Sequence, residues 1–367
     1  MNIFSWNNLD YPLVLCPPMD GITDRAFREV IANEGGLPLT YTEFVNVKSI
    51  IYQNPKALKD LEFTSNCQTI VQLFGSEPDD FYEATRIVVR MGYRAIDINM
   101  GCPAHNVVDK GGGCALMNDT EKAYRIVQST IKAANDELRQ IEPNTNQEIE
   151  VSCKMRLGVV NDTDVFTHGI KMIEAGAKAI AIHGRTLKQM YTGFANWDRI
   201  GEFVKLVRDS YKFSFDRVKI FGSGDVKTLY QAFEKFIKYK VDGVMIGRGS
   251  FGNPKVFSKK SIDKLKDFVR KYIDTPYESI PWTEIEEELG EYKYGFKELK
   301  NYAIKHAELC FKYKGEHGII QMRKHLGWYF SGLPHAKELR SLLVRVNSLD
   351  EIKQILNEYE TKYELQG

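Results

Sequence analysis

Eight short runs of apolar, β-favouring residues, each closed by Gly, Pro or a polar residue, divide the first 250 positions. They are Leu13 to Cys16, Leu39 to Phe44, Thr69 to Leu73, Ala95 to Asn99, Val151 to Met155, Ala179 to His183, Lys219 to Phe221 and Gly243 to Ile246. Most are apolar on consecutive rather than alternate residues. That is the signature of strands covered on both faces, hence of a parallel sheet. Helical patterns lie between them, among them Pro78 to Met91, Asp119 to Ala134, Phe166 to Ala175 and Val226 to Phe236. Eight β-then-α units in about 250 residues predict an α/β fold, a (β/α)8 TIM barrel. GSGD at 222 to 225 and GRG at 247 to 249 follow strands seven and eight, the two loops with which that fold commonly holds a phosphate.

After Gly252-Asn253-Pro254 the composition shifts to Lys, Glu, Tyr and Leu, and no further strand-like run appears. Leu299 to Tyr313, Gly318 to Phe330 and Leu349 to Tyr363 read as helices, with a break at 332 to 334. The sequence therefore divides into a catalytic barrel over 1–255, a linker over 256–290 and a helical domain over 291–367. The formal charge of the 367 residues is only +1, but 278 to 291 carries six Glu, whereas 293 to 345 carries eleven Lys/Arg against four Glu. A basic segment interleaved with Tyr302, Phe311, Tyr313, Trp328 and Tyr329 suits a polyanion, with Lys305, Arg323 and Lys324 as candidate contacts. The bland alternative is a helical bundle with aromatics inside and lysines outside.

Six cysteines without a CxxC or a Cys/His cluster imply a reducing compartment and no structural metal. No stretch approaches 18 uncharged apolar residues and no leader pattern opens the chain, so a soluble cytoplasmic protein is expected.

All eight strand ends of such a barrel open on one face, so polar residues there are site candidates: Pro18, Met19 and Asp20, Glu43, Gln72, Asn99, Lys154 with Arg156, His183 with Arg185, Ser223 to Asp225, and Gly247 with Arg248. Backbone N–H groups at Ser223, Gly224, Gly247 and Arg248, with the Arg248 guanidinium, form an anion cradle for a monophosphate. Lys154, Gln72 and Asn99 suit the heteroaromatic edge of an isoalloxazine, and the set suits FMN. A sugar phosphate would fill the cradle but leave the amides without a planar partner. Cys102, directly beyond Asn99 in a loop carrying Gly111 to Gly113, faces the mouth as an acid or nucleophile. Cys114, beside Ala115 and Leu116, reads as packing.

CPPMDGITD at 16 to 24, TEFV at 42 to 45, VQLFGSEP at 71 to 78, DINMGCP at 97 to 103, KMRLG at 154 to 158, HGRT at 183 to 186, GSGDV at 222 to 226, MIGRG at 245 to 249 and RKHLGWYFSGLPHAKELR at 323 to 340 resemble, in order, the tRNA-dihydrouridine synthases. The resemblance implies an FMN enzyme, reduced by NADPH, that saturates the C5–C6 bond of a uridine in tRNA. It makes Cys102 the acid that protonates C5. It makes Pro18, Met19, Asp20, Gln72, Lys154, His183, Ser223, Gly224, Asp225, Gly247 and Arg248 flavin positions, and it places Asn99 and Arg185 in the uracil and flavin pocket. Its expected partner is tRNA, bound by a monomer without membrane or metal. Asn106 stands where the family often has Lys, and Ser223 where it often has Asn. Two other readings share these motifs: an FMN barrel acting on a small activated alkene, which has no use for the basic tail, and a flavin-containing RNA-binding protein, which has no use for Cys102.

Overall fold

The computed structural model describes residues 4–210, 218–333 and 335–363. Eight parallel strands form one curled sheet: β1 (Leu13–Leu15), β2 (Leu39–Asn46), β3 (Gln68–Phe74), β4 (Ala95–Met100), β5 (Glu150–Arg156), β6 (Ala179–His183), β7 (Lys219–Ser223) and β8 (Gly243–Met245). The ladder runs β1-β8-β7-β6-β5-β4-β3-β2, the order of a (β/α)8 barrel. All six residues of β4 and all three of β1 are buried, as consecutive apolar runs require. The break at 332 to 334 includes Pro334, which lies outside the described residues.

The outer layer contains α1 (Arg25–Ala32), α2 (Val47–Ile51), α3 (Pro55–Asp60), α4 (Pro78–Arg90), α5 (His105–Val108), α6 (Thr120–Ile141), α7 (Asp164–Glu174), α8 (Trp197–Asp209) and α9 (Leu229–Tyr239), and then α10 (Lys259–Tyr272) and α11 (Trp282–Leu289). Residues 256–290, expected to be a linker, are part of this layer. α10 follows β8 as the eighth helix, and it buries Ile262, Leu265 and Val269 in the same core cluster that takes Ile280, Ile285 and Leu289. The floor of the barrel is a separate cluster of Leu13, Leu15, Tyr41, Ile70, Ala181, Phe221 and Met245 closed by Trp6, whose ring centroid lies 5.1 Å from that of Phe221.

The tail is four helices, α12 (Phe296–Lys314), α13 (Glu316–Tyr329), α14 (Ala336–Leu343) and α15 (Leu349–Lys362), around a core of Phe296, Leu299, Ala303, Leu326, Phe330, Leu339 and Leu356. It docks on α1. Ala26 enters the tail core, Lys314 Nζ donates to Asp24 Oδ2 at 2.8 Å, and Tyr302 donates to Glu34 Oε1 at 2.7 Å. Arg25 lies 4.2 Å from the centroid of the Tyr313 ring. Tyr329 belongs to the tail core and is 4% exposed, so for this residue the bundle reading holds. No helix among the described residues is long and apolar enough to cross a membrane.

Candidate active site

Strand register carries the site residues to one face. Gln72 pairs with Asp97, Asn99 with Lys154, Arg156 with His183, and His183 with Ser223, so their side chains stand around the C-terminal rim. They line a cavity of about 610 Å³ that includes Pro18, Met19, Asp20, Gln72, Asn99, Cys102, Lys154, His183, Ser223, Gly224, Asp225, Gly247 and Arg248. With Arg156, which also lines it, fourteen sequence candidates converge.

A buried polar chain crosses the cavity floor. Ser152 Oγ donates to Asp97 Oδ1 at 2.5 Å, Gln72 Nε2 donates to Asp97 Oδ2 at 2.6 Å, and Asn99 Nδ2 donates to Gln72 Oε1 at 2.9 Å. Asn99 Oδ1 in turn accepts from the N–H groups of Gly101 and Cys102, at 3.1 and 2.9 Å. One amide therefore fixes both the floor and the start of the cysteine loop. Each carboxamide uses one N–H in the chain, and its second has no partner among the described residues. Burial pushes the Asp97 carboxyl up to about 6, against the opposing pull of Gln72, Ser152 and Lys154. Asp97 was not a sequence candidate, although a carboxylate inside an otherwise apolar strand was the available signal.

The loop beyond Asn99 is held by glycine. Gly113 has φ +56°, and a Cβ there would stand 2.8 Å from the Cys102 carbonyl oxygen. Cys114 donates its N–H to that same oxygen and its side chain is fully buried outside the cavity, as a packing residue. Burial raises the Cys102 thiol pKa, overcoming the backbone hydrogen bond from Ala104 and the nearby Arg156 and Lys154. The sulfur is thus a protonated thiol at neutral pH, which suits proton donation and not thiolate attack.

Lys154 has no hydrogen-bond partner among the described residues and lines the cavity, with Asp97 and Cys102 near enough to attract its charge. Burial lowers its pKa to about 8, with Arg156 adding to the effect. Burial, then Lys154, Arg156, Arg185 and Arg248, holds His183 well below its ordinary range, so its imidazole is neutral. The N–H groups of Gly224, Gly247 and Arg248 likewise find no acceptor among the described residues. Gly224 has φ +124°, and a Cβ on it would meet Ala195 Cβ at 2.6 Å; one on Gly247 would meet Pro17 and Met19 at 3.2 and 3.3 Å. Unpaired donors on side-chain-free backbone beside a guanidinium make a cradle for an anion.

Arg185, expected to contact substrate, is 2% exposed and turned into the protein. Its Nε donates to Thr192 O at 3.1 Å and its Nη2 to Gly193 O at 2.6 Å and to both oxygens of Asp225 at 2.9 and 2.8 Å. Asp225 also accepts from Ala195 N and from Arg248. Although burial pushes its carboxyl up, the Ala195 N–H, Arg185 and Arg248 bring it below the usual carboxylate range. This clamp, with Arg156 donating to the Thr186 and Met190 carbonyls at 3.0 and 2.8 Å, sets the β6–α8 loop and hangs Tyr191 over the cavity. Tyr191 and Phe251, both lining residues, carried no sequence signal.

The three tail candidates lie outside the cavity. Lys305 is exposed on α12, Lys324 donates to the Gly21 carbonyl, and Arg323 donates to Val346 O and Asn347 Oδ1 at 2.8 Å each, stapling α13 to the end of α14. Among the described residues no group of three or more His, Cys, Asp or Glu could hold a metal ion.

A family model described as dihydrouridine synthase matches residues 14–364. The chain is 32% identical over 356 residues to a protein of Rickettsia conorii named "Probable tRNA-dihydrouridine synthase", covering 95% of this chain and 93% of that one. Proteins of the same name in Synechocystis (numbered 1 there) and Staphylococcus epidermidis are 28% and 29% identical, covering 94% and 97% of this chain and 85% and 96% of their own lengths. A solved 2-naphthoyl-CoA reductase complex is similar at TM-score 0.50 and 9% identity over 69% of this chain and 50% of its own, a likeness of fold alone.

Proposed function

The chain belongs to the dihydrouridine synthase family, and on that premise we propose that it is an FMN-dependent, NADPH-driven enzyme with Cys102 as its acid. The family makes it an oxidoreductase that reduces uridine to dihydrouridine in tRNA. The residues fit the flavin: Gly224, Gly247 and Arg248 would take its phosphate, Lys154 the electron-accepting edge of its ring, and Gln72 and Asn99 its polar rim through their remaining N–H groups. Bound there and reduced by NADPH, FMN would supply the hydride for uridine C6.

Cys102 Sγ carries the proton that C5 must receive, and its burial keeps that proton in place until the reaction needs it. Asn99 positions the thiol through the Cys102 N–H, and Gly113 admits the close approach of the loop's return. A cationic wall of Lys154, Arg156 and Arg248 favours negative charge developing on a bound ring system. A uridine must leave its stack to reach this depth, so the tail with its exposed basic groups would grip the surrounding RNA.

The single observation that supports this reading is the convergence, in one cavity, of a largely buried thiol, an ammonium without a hydrogen-bond partner among the described residues and three unpaired backbone donors. The test is to incubate the purified protein with unmodified tRNA and NADPH and map dihydrouridine. The expected result is a yellow protein that forms dihydrouridine at a defined position. A colourless protein that binds no FMN, or a flavin-loaded one that leaves the tRNA unreduced, would refute it.

A further inference from the structure

The lining of the cavity comes from the barrel loops with one exception, Trp328, which belongs to α13 of the tail. Its indole is held in place from several sides. The Phe251 ring stacks on it at 4.2 Å between centroids and 17° between planes, and His325 meets it edge-on at 5.0 Å and 84°. Gly252 approaches its backbone so closely that a Cβ there would lie 2.6 Å from the Trp328 carbonyl oxygen. One turn earlier, Lys324 is tied to Gly21 of the β1–α1 loop. A wall so fixed meets a ligand without further loss of side-chain freedom.

The indole N–H has no acceptor among the described residues. Trp197 and Trp282, by contrast, donate to the carbonyls of Gly224 and Tyr277 at 2.8 and 3.0 Å. The adjacent Tyr329 is core, its hydroxyl 3.2 Å from His306 Nδ1. A half-exposed aromatic with an unused donor, on the wall of a cavity also lined by Lys227 and Arg248, has the makeup of a nucleotide-stacking surface.

We propose that Trp328 contacts the substrate directly, its indole stacking on a nucleotide of the RNA strand that enters the cavity, so that the tail forms part of the active site and positions the target uridine. This rests on the reading of the protein as a tRNA-reducing flavoenzyme. The tests are Trp328→Leu and Trp328→Phe in the full-length, flavin-loaded protein. Trp328→Leu raises KM for tRNA about tenfold or more, the range of one lost base stack, with FMN affinity within about twofold of wild type, the expected spread for a side chain off the cofactor. Trp328→Phe, which keeps a ring in contact with Phe251, falls between. Adding unmodified tRNA quenches tryptophan fluorescence in the wild type and less in Trp328→Phe, a signature that a merely structural residue would not give.

A folded Trp328→Leu protein with wild-type KM would overturn the proposal. So would a parallel loss of FMN affinity, which would make the residue a cofactor wall, or equal quenching in wild type and Trp328→Phe. Failure of the wild-type protein to form dihydrouridine would instead strike the functional reading beneath it.

Discussion

Replacing Lys154 by Met should make the flavin-free protein more stable while abolishing its use. The ammonium sits in the cavity wall with no hydrogen-bond partner among the described residues, and burial, seconded by Arg156, brings its pKa from 10.5 to about 8. Each tenfold change in proton affinity is about 1.4 kcal/mol, so holding the charged form costs the folded protein about 3 kcal/mol. The direction follows from the linkage. Below pH 8 both folded and unfolded chains carry the proton and the cost is fully present. Between about 8 and 10.5 the unfolded chain holds the proton and the folded one does not, so wild-type stability rises by about 3 kcal/mol across that window. Met keeps the volume and removes the charge. At pH 7 the melting temperature of flavin-free Lys154→Met should therefore exceed that of wild type by roughly 4 to 8 °C, taking about 2 °C per kcal/mol with allowance for the chain's size, and the gap should close as pH approaches 10. FMN affinity of the variant should fall. Thermal melts of the two flavin-free proteins at pH 7 and pH 10 decide it: equal or lower stability of the variant at pH 7 would refute the assignment of an uncompensated ammonium.

Cys102→Ala should retain FMN, read by absorbance, and lose dihydrouridine formation by about 10²- to 10⁴-fold, the contribution of a positioned acid; unchanged turnover would remove the thiol from the mechanism. Gly113→Ala forces a side chain at φ +56° to within 2.8 Å of the Cys102 carbonyl, so kcat should fall with little change in tRNA KM, and stability by about 1 to 2 kcal/mol or more, measured by urea unfolding. Arg185→Met releases the Thr192 and Gly193 carbonyls and leaves Asp225, which is 30% exposed, with only Arg248 and the Ala195 N–H. The expected loss is up to about 3 kcal/mol, the low end for a buried pair, with new proteolytic cleavage near 187 to 195; a loop as resistant as wild type would show that the clamp is dispensable.

The eight strands were legible because a two-sided burial environment demands consecutive apolar residues, and the observed β4 and β6 begin where the apolar runs at Ala95 and Ala179 begin. α10 was not legible as the eighth barrel helix. It buries only Ile262, Leu265 and Val269, a narrow stripe amid Lys and Asp, so a one-sided helix looked like the start of a new composition. At the site, strand ends were readable because strand geometry fixes where they point. Arginine was not. Whether Arg185 faces a ligand or reaches Asp225, forty positions on, depends on tertiary placement that spacing does not encode, and Arg323 finds the end of α14 for the same reason. Tyr191 and Phe251 line the cavity through loop conformation alone.

The cavity's charges explain why these arginines were spread as they are. Lys154, Arg156, Lys227 and Arg248 line it, while the carboxylates that touch it are Asp20 and Asp225, the latter shared between Arg185, Arg248 and the Ala195 N–H. Asp97 lies below the floor, engaged by Gln72 and Ser152. The ligand space is therefore walled by more positive than negative charge, an arrangement that favours an anionic ligand. Asp97 is a neighbouring carboxylate that attracts Lys154, yet its oxygens accept from Gln72 and Ser152, and the ammonium has no hydrogen-bond partner among the described residues. An ammonium held in this way, beside amides with N–H groups not used in the chain, suits an electron-accepting ring edge in the cavity.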